Sequence, residues 1–292
     1  MPLSTADIIK KVKELEIISK KITTHLFTGE YHSAFKGKGM RFREVREYDH
    51  GDDVRFIDWN VSARYAHPFT KVFEEERELT VMLIIDVSAS SLFGTLRQRK
   101  RDLVTELGAV LTFSAINNND KVGVIFFSDR VEKYIPPKKG KNHALYIVRE
   151  LLTATPKRSG TSISEALNFF TRNHSQKSIA FIMSDFIDEN YEHLLRVNAQ
   201  RHDVIGIKVY DKMDSQLPDV GLVKVEDLET GNMQWLDTSN VRVRHNYHLN
   251  FMEQSTRCQS IFKRAGADLL HLRTDEDYVK LLQKFFSKRI KK

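Results

Sequence analysis

The stretch from Leu79 to Ser90, Leu-Thr-Val-Met-Leu-Ile-Ile-Asp-Val-Ser-Ala-Ser, constrains the fold more than any other part of the chain. Its apolar run is too short for an ordinary helix and is apolar at odd and even positions alike. That pattern predicts a parallel strand buried on both faces. Asp86 closes the run, and two hydroxyls follow at alternate positions, Ser88 and Ser90. The loop beyond a strand's carboxyl end is where open α/β sheets hold their ligands. One carboxylate and two neutral hydroxyls form an all-oxygen donor set of low charge. Such a set suits a hard divalent ion, Mg²⁺ above all, with Mn²⁺ or Ca²⁺ as substitutes and water completing the shell.

Strand and helix patterns alternate after this point. The spacing predicts a helix at 97–117, a strand at 122–128 and a short strand at 131–135. The interval between those two strands is too short for a helical crossover, so the second runs antiparallel. Helices follow at 143–153 and 163–173, a strand at 178–184, a helix at 190–200 and a strand at 204–210. Residues 221–237 read as a hairpin around Glu229-Thr230-Gly231, before a long helix at 240–265, a strand at 268–272 and a helix at 275–287. The expected fold is α/β: a mostly parallel sheet with one antiparallel edge strand and helices on both faces.

The first 78 residues read differently. Residues 4–26 form an amphipathic helix with Ile8, Val12, Leu15, Ile18, Ile22 and Leu26 at helical spacing, and both signs of charge opposite them point to core packing. Residues 30–47 are polar and basic, with a turn at Gly37 and Gly39, and 68–78 alternate as a strand on a partly solvated surface. The chain divides into a helix-and-strand extension, 1–78, packed on a main domain, 79–292, which carries the hairpin insertion near 221–237.

Composition excludes several classes. The single cysteine, Cys258, rules out an intrachain disulfide or a cysteine-built metal site and fits a reducing compartment. No apolar run approaches the roughly 20 residues of a membrane span, and Lys10, Lys11, Lys13, Glu14 and Glu16 break any secretory signal, so the expected location is the cytoplasm. The net charge of +7 attracts acidic partners without naming them. There is no phosphate-binding Gly-x-x-x-x-Gly-Lys-Ser/Thr, no His-Glu-x-x-His and no Gly-x-Ser-x-Gly, and the 11 histidines are scattered. No catalytic constellation emerges.

Three loops at predicted carboxyl strand ends bring oxygen donors: Asp86, Ser88 and Ser90 on the first, Thr161 on the second, Asp185 on the third. Hydroxyls of Ser88, Ser90 and Thr161 can bind Mg²⁺ directly while the two carboxylates hold its waters. Each element has an ordinary reading as well. Asp-x-Ser-x-Ser and Thr161 are N-cap material, and Asp185 is a common strand-to-loop residue. Taken together and in order, they resemble the metal-ion-dependent adhesion site of von Willebrand factor A domains, a Rossmann-like fold with a short antiparallel edge strand. One position departs from that pattern: Phe186 follows Asp185 where those domains usually have glycine.

Upstream, Arg46 to Arg64 reads Arg-x-Tyr-x-x-Gly-Asp-Asp-x-Arg-x-Ile-Asp-Trp-x-x-Ser-Ala-Arg, followed by Lys71-Val-Phe-Glu-Glu-Glu. This resembles the family of domain of unknown function 58, which joins such a segment to a von Willebrand A-type domain. Asp52, Asp53, Arg55, Asp58 and Arg64 read as a charge-paired lattice anchored by the packing of Trp59, with Arg46 and Arg55 available to a partner's acidic groups. Members of that family are commonly encoded beside MoxR-type AAA+ ATPases. The resemblance therefore implies a Mg²⁺-dependent adaptor or chaperone-like partner of such an ATPase, which binds an acidic residue of a protein partner at the metal. The alternatives are a metal-dependent phosphohydrolase using Asp86 and Asp185, for which no nucleophile or base is evident, and nucleic-acid binding through the basic N-terminal region, which lacks a recognition motif.

Overall fold

The computed structural model of the protein describes residues 10, 12–17, 41–74, 79–95, 98–155, 160–226 and 231–290. Residues 12–17 are helical, and Leu15 and Val12 pack against Ala109, Phe113, Ala144 and Val148. The described part of the first amphipathic pattern thus serves the core, as expected. Apart from Lys10, the rest of the 4–26 helix, the turn at Gly37 and Gly39, the Glu229-Thr230 tip and Ser159 lie outside the described residues.

Strands β1 (Arg41–Glu47) and β2 (Phe69–Glu74) form an antiparallel ribbon, with the helix α1 (Trp59–Tyr65) between them in the chain. The main sheet begins with β3 (Thr80–Asp86). Then come α2 (Lys100–Asn117), β4 (Lys121–Phe127), β5 (Val131–Lys138), α3 (Lys141–Thr153), α4 (Ile163–Asn173), β6 (Ile179–Ser184), α5 (Glu192–Arg201) and β7 (Asp203–Tyr210). A single turn of helix, α6 (Lys212–Ser215), precedes the hairpin β8 (Leu222–Glu226) and β9 (Met233–Asp237), the long α7 (Val241–Ala265), β10 (Asp268–Arg273) and α8 (Tyr278–Ile290).

The six-stranded sheet has the order β10-β7-β6-β3-β4-β5, parallel except for β5, which runs antiparallel along β4. This is the expected α/β fold, antiparallel edge included. Between Val122 and Val124 the pairing skips from Lys138 to Ile135, and Pro136 and Pro137 occupy the irregularity. An edge or a bulge is where a strand tolerates proline, which has no N–H to donate.

Both faces of β3 are buried because helices cover each side of the sheet. Val81, Leu83 and Ile85 face Leu103, Leu107 and Val110 of α2 and share a core with Ile147, Leu282 and Phe286. Met82 and Ile84 face the opposite way, into a core with Leu167, Phe170, Leu195 and Phe262. The pleat sends alternate residues to opposite sides, and each buried aliphatic or aromatic side chain contributes about 1.5–3 kcal/mol. Gly206 of β7 has no substitute here, since an added Cβ would lie 2.4 Å from the Phe262 ring.

Three elements, β1, α1 and α6, were not legible in the sequence. Residues 41–47, read as part of a polar basic stretch, form β1, whose order comes from its ladder with β2. The helical turn α6 was also unanticipated; Asp211 caps it by accepting the Met213 N–H.

Candidate metal site at the carboxyl edge of the sheet

Asp86 ends β3 in the middle of the sheet, and the main chain turns immediately after it. One carboxylate oxygen accepts the Ser88 N–H at 2.9 Å, and the other accepts the Ser184 hydroxyl at 2.6 Å. Ser184 is the last residue of β6, so the bond ties two neighbouring strand ends together. The Ser88 and Ser90 hydroxyl oxygens lie 3.1 Å apart. Ser88 stands at the cap position of a short 3-10 turn, Ala89–Leu92, yet its hydroxyl makes no capping bond. The ordinary N-cap reading therefore does not account for that side chain. Burial, together with the Asp185 carboxylate nearby, holds the Asp86 pKa well above the usual carboxylate range.

A cation already stands among these oxygens. Lys100, the first residue of α2, is buried, and its ammonium donates to Asp185 at 3.1 Å and pairs with Asp214 at 3.2 Å. Burial alone would lower its pKa; the Asp185 and Asp214 carboxylates outweigh that and raise it. Asp86, Ser90, Lys100, Ser184 and Asp185 line one cleft of about 10 Å³, room for a single ion or water.

Beside it, the fully buried Asp211 carboxylate accepts the Thr95 and Thr274 hydroxyls as well as the Met213 N–H. It thus fastens the loops after β3 and β10 to the start of α6.

Thr161 is held at the same edge of the sheet, though it does not line that cleft. The Ser162 N–H donates to the Ser128 carbonyl at 2.7 Å, just beyond β4. The Ile163 N–H donates to the Asp188 carboxylate at 2.8 Å, in the loop after β6. The N-cap of α4 is Ser162, not Thr161.

The third loop retains the backbone that a glycine would permit. Phe186 has φ 56°, in the left-handed region. That conformation costs a non-glycine residue about 1–2 kcal/mol. The buried ring offsets it by packing edge-on against Phe262, with centroids 5.1 Å apart, and against Tyr191.

The upstream charges behave otherwise. Arg46 pairs with Asp52 at 2.7 Å, Arg55 with Asp53 at 2.6 Å and Lys71 with Asp58 at 3.3 Å. The Arg55 guanidinium beside Asp53 pulls that carboxyl down to about 2. Asp58 also caps α1 through the Asn60 and Val61 N–H groups. The expectation that Trp59 anchors this lattice by packing is overturned. Trp59 opens α1 with 70% of its surface exposed, because that helix buries none of its residues. Arg64, expected in the lattice, is exposed on the same helix.

Four of the five expected ligand residues, Asp86, Ser88, Ser90 and Asp185, therefore meet at one place, and the Thr161 segment is fastened to the same edge. The donors are oxygens of two carboxylates and neutral hydroxyls, which fits a hard divalent ion. Among the described residues no group of three or more His, Cys, Asp or Glu is gathered to hold a metal; this set has too few carboxylates to form one.

The reading of the chain missed Lys100, Ser184, Asp211, Asp214 and Lys208. Lys100 hides in Arg-Gln-Arg-Lys-Arg, which looks like a solvated basic run. Lys208 carried a visible signal, a lone charge inside the strand Val-Ile-Gly-Ile-Lys-Val-Tyr.

A family model described as "Protein of unknown function DUF58" matches residues 44–257. The uncharacterized protein Rv1480 of Mycobacterium tuberculosis (strain ATCC 25618 / H37Rv) is 30% identical over 281 residues, 95% of this chain and 88% of that one. The uncharacterized protein YeaD of Bacillus subtilis (strain 168) is 24% identical over 60% of this chain and 42% of its own. The solved structure of an aerotolerance-related membrane protein from Bacteroides fragilis is similar over 73% of this chain and 98% of that one, at 17% identity and a TM-score of 0.51. That likeness concerns the fold. Among the described residues no helix is long and apolar enough to cross a membrane. On the extent of the family match and of the likeness to the mycobacterial relative, the chain belongs to the DUF58 family.

Proposed function

We propose that this chain is a divalent-cation-dependent protein-interaction module that captures an acidic side chain of a partner at the carboxyl edge of β3. The observation that carries the reading is the buried Asp86 carboxylate, gripped by Ser88 and Ser184, with the paired Ser88 and Ser90 hydroxyls beside it. Asp86, Ser88, Ser90, Thr161 and Asp185 would hold the ion, Mg²⁺ in the first instance. When bound, it supplies a Lewis-acidic position open to a carboxylate from outside. The chain's own part is to keep Asp86 and Asp185 fixed, through Ser184 and Lys100, so that few negative charges face the ion.

The family resemblance supports a MoxR-type AAA+ ATPase as the partner and the cytoplasm as the place. Residues 1–78 serve in this reading as an extension to the domain 79–292. Its exposed Trp59, together with Arg46, Arg55 and Arg64, offers a second contact for the partner. The direct test is calorimetric titration of Mg²⁺ into the wild type, Asp86→Asn and Ser88→Ala. The expected result is at least tenfold weaker binding in both variants, with unchanged circular dichroism. Capture of the purified ATPase is then compared between the wild type and Asp86→Asn, both in Mg²⁺, because a chelator would also disable the ATPase. Equal Mg²⁺ binding by all three proteins overturns the reading.

A further inference from the structure

Lys208 lies on the same sheet face as Gly206, where the neighbouring residues build the apolar core around Phe262. An apolar side chain would continue that core. Instead an ammonium occupies the position, with only 2% of the residue exposed. The Phe251 ring of α7 stands 5.7 Å from the nitrogen to the ring centre, and the Asp185 and Asp214 carboxylates act on the ammonium electrostatically. Among the described residues no hydrogen bond or ion pair holds it. Placing an ammonium under an apolar core without a hydrogen-bonding partner is unfavourable. Natural chains keep such local violations mainly at functional sites.

The ammonium borders a cleft of about 260 Å³. Tyr210, Tyr247, Asn250 and Gln254 supply polar groups to its wall, and Phe251 and Ile187 supply apolar surface. Asp185 and Asp214, both held by Lys100, form the side facing the candidate metal site. A pocket of this size accepts one side chain or a small molecule. A single ammonium matches a single negative charge. A phosphate dianion asks for a guanidinium fork or a row of backbone N–H groups, and here its second negative charge would find no second free cation among the described residues of the wall and would face the Asp185 and Asp214 carboxylates.

We propose that this cleft is a carboxylate-binding subsite in which Lys208 contacts the anion and the neighbouring phenol and amide groups orient it. The subsite needs no metal, so its fate is separate from that of the reading above.

The test uses the full chain in excess EDTA, titrated with two probes: glutarate as a free acid, and a Glu-Gly-Glu-Gly-Glu peptide as a protein-borne one. Binding is followed by calorimetry and by amide chemical shifts of residues 247–254. Lys208→Met is expected to weaken binding at least tenfold. Asn250→Trp, a substitution at an exposed position of α7 that fills the mouth of the cleft, does the same and keeps the test valid if the first variant unfolds. Saturable binding of glutarate alone identifies a small acid as the occupant, and binding of the peptide alone identifies an acidic segment. Binding to Asn250→Trp at wild-type strength, or no saturable binding of either probe to the wild type, overturns the proposal.

Discussion

Two clusters of acidic and basic side chains in this molecule use the same chemistry in opposite surroundings. Lys100 and Asp185 lie 3.1 Å apart, each side chain 6% exposed. Arg55 and Asp53 lie 2.6 Å apart, with side chains 82% and 36% exposed. The longer pair is the one that matters to the fold. Water screens the outer pair and competes for its hydrogen bonds, whereas the inner pair cannot be broken without stranding a charge. Distance alone is therefore a poor guide to what an ion pair does.

The strongest way to break this comparison is Lys100→Met. It leaves the buried Asp185 carboxylate, and Asp214 beside the cleft, without their shared cation and should cost about 3–5 kcal/mol in urea unfolding. A loss under 1 kcal/mol would show that the inner pair is no more important than the outer one.

His202 sharpens the contrast from the other end of the sheet. Burial, with His174 beside it, pulls its pKa from 6.5 down to about 4. The unfolded chain then binds the extra proton first. Stability is fully present above pH 6.5 and is lost as pH falls towards 4, by roughly 2–3 kcal/mol. His202→Gln, which cannot charge, should flatten that slope in a pH series of unfolding midpoints.

Trp59→Ala tests the exposed region. A surface position of this kind should change stability by less than about 0.5 kcal/mol, while ATPase capture weakens if the tryptophan is a contact. The smallest effect belongs to Asp53→Asn, which should leave the thermal midpoint where it was. A clear fall in that midpoint would mean that the outer cluster does structural work.

The sheet was largely readable from the chain because its strands are continuous apolar runs ended by polar residues. Leu79 to Asp86 and Ile179 to Asp185 are the plainest cases. The strand β1 was not readable, since Arg-Phe-Arg-Glu-Val-Arg-Glu is mostly charged in sequence and becomes a strand by pairing with β2.

The oxygen donors at the edge were legible because hydroxyl and carboxylate side chains recur at strand ends. Their supports were not. Ser184, Asp211 and Asp214 are ordinary polar residues until the fold sets them against distant partners, and Lys100 meets Asp185 from 85 positions away. Trp59 shows the reverse error: a large aromatic residue invites a packing role, but a helix of seven residues with no buried face gives it nothing to pack against.

The two prolines at the margin of the main sheet have a consequence for coexistence with other chains. Pro136 and Pro137 offer no amide hydrogens, and lysines stand close by at 133, 138 and 139. A stray extended segment approaching that border meets missing donors and like charges rather than a template to extend. One flank of a highly apolar sheet is thereby protected against stitching itself to its copies, which favours solubility at high concentration.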